Sequence, residues 1–160
     1  MSKSSDEYRI VFSSVASIYD KPTFNSELVT QALFWEHLIV SDKKDNWYKV
    51  KQRDGYMGWI HSFYTLDSSI YDENKFLKTP ENWYWVKKKF LHLSLNNKSD
   101  FLVPFGSLVP CFTEDRKFFI LLPNNKKINI NKSSLIGFAD EKYYKKMVFH
   151  SAFELLGIPY

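Results

Sequence analysis

The sequence predicts an all-β protein made of two small barrels in tandem, followed by one C-terminal α-helix. Three observations lead there. Short apolar runs bounded by turn residues recur along the first half. A second series of the same kind begins after a polar stretch at mid-chain. Only the C-terminal segment shows helical spacing.

In the first half, Val15–Tyr19 reads as a short strand ended by Asp20-Lys21-Pro22. Phe34–Ser41 reads as one longer strand, rich in β-branched and aromatic residues. Trp47–Lys51 alternates with period two, the mark of a half-buried strand. Asp45-Asn46 before it and Asp54-Gly55 after it are turn pairs that tolerate left-handed backbone. Met57–His61 follows as the next strand. Short strands this closely spaced imply a small barrel.

Residues 68–82, polar and containing Pro80, read as a linker between a first barrel over 1–67 and a second over 83–136. In the second series, Trp83–Phe90 is strand-like. The segment 102–110 turns once and re-enters a strand ending near Phe112. Phe118–Leu122 is apolar throughout, Pro123-Asn124-Asn125 is a hairpin turn, and Lys127–Asn131 returns. Ser133-Ser134-Leu135 closes the series with one helical turn. Beyond it, in the segment 137–160, Tyr144, Val148, Ala152 and Leu155 share one face at helical spacing. Asp140 can cap the start, and Gly157 and Pro159 end it, so a helix is expected over 140–156. Its apolar stripe must pack on something.

Composition narrows the function classes. Hydrophobic residues make up 44% and charged residues 25%, which is globular rather than disordered. Aromatics at 18% suit a thin barrel core, where large rings bury much area at low entropic cost. The net charge of +4 raises the question of nucleic acid. Its make-up argues against it: Arg9, Arg53 and Arg116 are the only arginines, and the lysine clusters are scattered. A mildly basic surface also suits an acidic polymer such as a cell-wall glycan or peptide. No apolar run approaches a membrane span, and Met1–Glu7 has no apolar core of a secretory signal, so a cytoplasmic protein is expected.

No residues here build a complete catalytic centre. The single cysteine, Cys111, lies in a predicted strand and reads as buried and structural. His37, His61, His92 and His150 show no zinc-site spacing, and no metal or cofactor is expected. Trp47 and Trp59 read as core residues. Tyr19 and Tyr48 could instead line a groove for a proline-rich peptide, but the acidic loop such grooves use is not evident.

The first half also carries a pattern. Gln31-Ala32-Leu33-Phe34-Trp35-Glu36 is followed by Trp47-Tyr48-Lys49-Val50, then by Asp54-Gly55-Tyr56-Met57-Gly58-Trp59-Ile60. This resembles the bacterial SH3-like domain at the front of NlpC-type peptidoglycan peptidases, with its Q-x-L-x-G-E, W-x-K-V and D-G-Y-x-G-W segments. Trp35 stands where that family often has glycine, a minor departure. Pro104-Phe105-Gly106-Ser107 and Leu121-Leu122-Pro123-Asn124 resemble, less specifically, the second SH3-like domain of the same proteins. Ala152–Tyr160 is similar to the run that enters their catalytic domain, where a D-C-S-G segment would carry the nucleophile.

The resemblance implies two SH3-like barrels that recognise substrate, without being an enzyme on their own. The catalytic domain would be missing and would pack on the C-terminal helix. It implies substrate-binding roles for Glu36 and Tyr56, which would hold the free α-amine of a murein peptide beginning with L-alanine. A carboxylate pairs with an ammonium group, and a tyrosine hydroxyl adds a hydrogen bond and a flat wall. The bland alternative is a solvated Glu36 and a Tyr56 that merely packs at its hairpin. At the level of the whole chain, the alternative is a stand-alone binding or scaffold module with a protein partner, or a truncated gene remnant.

Overall fold

A computed structural model describes residues 7–68, 74–96 and 99–138, together with Lys145, Lys146 and Val148. The described chain is all-β and every strand pairing is antiparallel.

The first half contributes β1 (Tyr8–Val11), β2 (Val15–Tyr19), β3 (Leu28–Leu33), β4 (His37–Lys44), β5 (Trp47–Lys51), β6 (Met57–His61) and β7 (Thr65–Asp67). They form one sheet in the order β3-β2-β6-β5-β4-β1-β7. The alternation of β5 is realised: Tyr48 and Val50 join a buried cluster with Ile18, Leu38 and Ile60. Trp47, Lys49 and Lys51 therefore take the outer face. The expected strand over Phe34–Ser41 is corrected. It breaks at Phe34-Trp35, where Trp35 adopts a left-handed φ of 70°, and the strand starts at His37.

The second half contributes β8 (Trp83–Val86), β9 (Phe90–Asn96), β10 (Ser99–Pro104), β11 (Leu108–Glu114), β12 (Lys117–Leu121), β13 (Lys127–Asn129) and β14 (Leu135–Gly137). One sheet runs β13-β12-β11-β8-β14, and β9 and β10 form a separate hairpin. Trp83–Phe90 is thus two strands rather than one, interrupted over Lys87–Lys89. The closing helical turn is found as a 3-10 turn over Lys132–Ser134, with the Asn131 side chain accepting from the Ser133 N–H. Between the sheets, two more 3-10 turns occupy Lys75–Lys78 and Pro80–Asn82.

The larger buried cluster crosses from one half to the other. Ile10, Phe34 and Trp35 pack with Leu77 and Trp83, and through them with Val109 and Ile120. The helix expected over 140–156 falls almost wholly outside the described residues. Lys145, Lys146 and Val148 have helical backbone, but no complete α-helix is seen among the described residues, and the fold stands as all-β. No helix among them is long and apolar enough to cross a membrane.

Candidate binding cleft

Residues 33–36 form the tight turn between β3 and β4, and Glu36 organises it. The Glu36 N–H donates to the Leu33 carbonyl at 3.0 Å, and the Leu33 N–H donates back to Glu36 Oε2 at 3.0 Å. The other carboxylate oxygen accepts from Gln52 Nε2 at 2.8 Å. Gln52 is buried, and its backbone N–H donates to the Tyr56 carbonyl at 2.9 Å. One side chain thus ties Glu36 to the hairpin that carries Tyr56.

Burial pushes the Glu36 carboxyl above the usual carboxylate range, and the nearby Asp54 charge adds to the rise. The hydrogen bonds from Leu33 and Gln52 oppose both. The carboxylate's two hydrogen bonds leave lone pairs free for further donors. No basic side chain forms an ion pair with it among the described residues.

Glu36 lines a cleft of about 550 Å³ between the two halves. The first half supplies Glu36, Tyr8, Ile39, Lys51 and Arg53; the opposite wall includes Leu77, Pro80, Trp83, Trp85 and Leu108. Tyr56 is 55% exposed and does not line the cleft. It lies on the adjoining hairpin, where its N–H donates to Asp54 Oδ1 at 3.2 Å. The structure therefore brings Glu36 and the Tyr56 hairpin together, with only Glu36 in the cleft wall.

Trp35 is far from a minor departure. It is fully buried, its indole N–H donates to the Leu121 carbonyl at 2.7 Å, and its ring meets Trp83 edge-on at 5.6 Å. The Trp83 indole N–H in turn donates to the Leu77 carbonyl at 2.8 Å. A left-handed backbone costs a non-glycine residue about 1–2 kcal/mol. Burying a large apolar side chain is worth about 1.5–3 kcal/mol, before its hydrogen bond is counted. Burial wins, and the residue next to Glu36 anchors one half of the chain on the other.

The remaining candidates separate cleanly. Trp47 is buried, but outside the inner cluster. It sits on the outer face among Tyr19, Phe24 and His61, where the surrounding rings complete the burial expected of a core residue. Phe24 and Phe63 complete this aromatic patch and are 50% and 62% exposed, which sequence periodicity did not reveal. Trp59 faces the same way, opposite Tyr19 in the ladder. Tyr48 points inward, so Tyr19 and Tyr48 line no common groove. Cys111 is buried, its Sγ lies 3.7 Å from the Val109 carbonyl, and burial pushes its thiol far up. His61 Nδ1 accepts from the Phe63 N–H and caps a 3-10 turn. His150 lies outside the described residues.

Residues 18–62 match the family described as the bacterial dipeptidyl-peptidase Sh3 domain. Over 120 residues the chain is 29% identical to the gamma-D-glutamyl-L-lysine dipeptidyl-peptidase of Bacillus cereus (strain ATCC 10987 / NRS 248), a match covering 68% of this chain and 35% of that protein. The chain therefore spans about a third of the curated relative's length. Among solved structures, an NlpC/P60 family protein from Bacillus cereus ATCC 10987 aligns with a TM-score of 0.62 at 20% identity, covering 81% of this chain and 55% of the other. An NlpC/P60 endopeptidase from Photobacterium damselae subsp. piscicida aligns with a TM-score of 0.56 at 13% identity, covering 81% and 33%. The chain is similar in sequence and fold to the SH3-domain part of NlpC/P60 peptidases.

Proposed function

We propose that this chain is the non-catalytic recognition part of an NlpC-type murein peptide hydrolase, built as two SH3-like barrels in tandem. Its cleft holds the free α-amine of a short cell-wall peptide. The observation that carries this reading is Glu36: a carboxylate held at both oxygens by neutral donors, facing a cleft, with no ion-pair partner among the described residues. An ammonium group supplies the charge and the donors that such a carboxylate takes best. Tyr56, exposed on the adjoining hairpin, adds a ring and a hydroxyl to the approach. A blocked amine would leave the part-buried carboxylate unpaired, so selection for free N-termini follows.

Calorimetry with L-Ala-γ-D-Glu-L-Lys and its N-acetylated form tests this. Binding of the free-amine peptide that is lost on acetylation, and lost in Glu36→Gln, supports the reading. Equal response of both peptides to Glu36→Gln contradicts it.

A second reading, a stand-alone binding module with a protein partner, draws on the exposed Phe24 and Phe63 rings. A patch of that kind marks interaction surfaces.

A further inference from the structure

The cleft keeps its opposite charges apart. Glu36 is held by Leu33 and Gln52, both neutral donors, and the nearby charge that acts on it is another acid, Asp54. Lys51 and Arg53 line the same cleft, one on each side of Gln52 in sequence. Lys51 stands opposite Ile39 in the β4–β5 ladder, and Ile39 opposite Tyr8 in β1–β4. All three line the cleft, so Lys51 belongs to a continuous outer-face wall. Lys51 and Arg53 are exposed, and neither forms an ion pair among the described residues.

A wall with one neutral-bonded carboxylate and two uncompensated cations complements a ligand whose ammonium and carboxylate are also apart. We propose that Lys51 and Arg53 receive the glutamyl α-carboxylate of the peptide whose amine Glu36 holds, so that the cleft selects the acidic peptide over its counterpart amidated at that group. This rests on the reading of Glu36 given above. The guanidinium offers a planar fork that fits a carboxylate bidentately, and the ammonium adds a point charge. Amidation replaces the anion with a neutral group that brings donors toward donors.

The test compares L-Ala-γ-D-Glu-L-Lys with the same peptide carrying a carboxamide in place of the glutamyl α-carboxylate. Both are measured by calorimetry against this chain and its Lys51→Met and Arg53→Met variants. Amidation is expected to weaken binding about tenfold in the unmodified chain, and about twofold or less in the double variant. Retained discrimination against the N-acetylated peptide in the double variant would show that the amine site is intact. Equal affinity for carboxylate and carboxamide in the unmodified chain overturns the inference while leaving the amine site standing. Loss of discrimination against N-acetylation, or no binding of either peptide, overturns the Glu36 reading and this inference with it.

Discussion

The indole N–H of Trp35 donates to the backbone carbonyl of Leu121 at 2.7 Å, joining a turn of the first sheet to the last residue of β12 in the second. The bond is buried, and it starts from a residue held at a left-handed φ of 70°. Two opposed terms meet at this position, and substitutions separate them.

Trp35→Gly removes the ring, the bond and Cβ and so relieves the backbone; Trp35→Ala removes the ring and the bond but keeps Cβ and the strain. Deleting a buried tryptophan costs about 3–5 kcal/mol, and the alanine variant should lie in that range. The glycine variant should be more stable than the alanine variant by about 1 kcal/mol. Urea unfolding checks the order, and a less stable glycine variant would contradict the account of the turn.

Gly58 is set by close approach. A Cβ there would stand 2.6 Å from Ile18 Cγ2 and 2.7 Å from the Tyr19 carbonyl oxygen. The carbonyl belongs to β2, which pairs with β6, and cannot swing aside as a side-chain tip could. Gly58→Ala should destabilise by about 1–3 kcal/mol, read as a lower urea midpoint. Gly55, with open space around it but a φ of 97°, should suffer from Ala through backbone strain instead.

The raised Glu36 carboxyl gives stability a pH signature. Its folded pKa lies above the ordinary carboxylate value, so the folded state binds more protons than the unfolded state between the two. Its contribution is therefore greatest below the ordinary value and falls as pH rises through the raised one. The stability difference between wild type and Glu36→Gln should shift in favour of wild type as pH is lowered through that window. Parallel urea titrations across acidic pH measure it, and a shift of opposite sign would contradict the burial of this carboxyl.

Cys111 should resist thiol reagents in the folded chain. It is buried within β11, and its thiol is driven toward the protonated, unreactive form. Modification by an aromatic disulfide reagent should be slow in buffer and rapid in denaturant. Rapid labelling in buffer would place the thiol at the surface.

The sequence makes some of this legible and hides the rest for physical reasons. β5 and β6 coincide with their expected bounds, because strict alternation and flanking turn pairs are local signals. β1 was not expected: it has no flanking turn signature and is held through distant partners, β4 and β7. The break before β4 is invisible because a tryptophan, not a glycine, occupies the left-handed position. Trp47 is buried as its reading as a core residue expects, but from the outer face, because Phe24 and the rings around it cover it from outside the strand. Glu36 and Tyr56 emerge from the motif resemblance. Gln52, which joins Glu36 to the Tyr56 hairpin, belongs to no motif and is found only through its hydrogen bonds.

Where the peptide sits is the central question. Backbone amide shifts of the labelled chain, followed on titration with L-Ala-γ-D-Glu-L-Lys, answer it most directly. The account predicts that the largest changes fall on residues 33–37 and 51–53, around the Glu36 carboxylate. Changes centred instead on Phe24, His61 and Phe63 would move the binding site to the outer aromatic patch and contradict it.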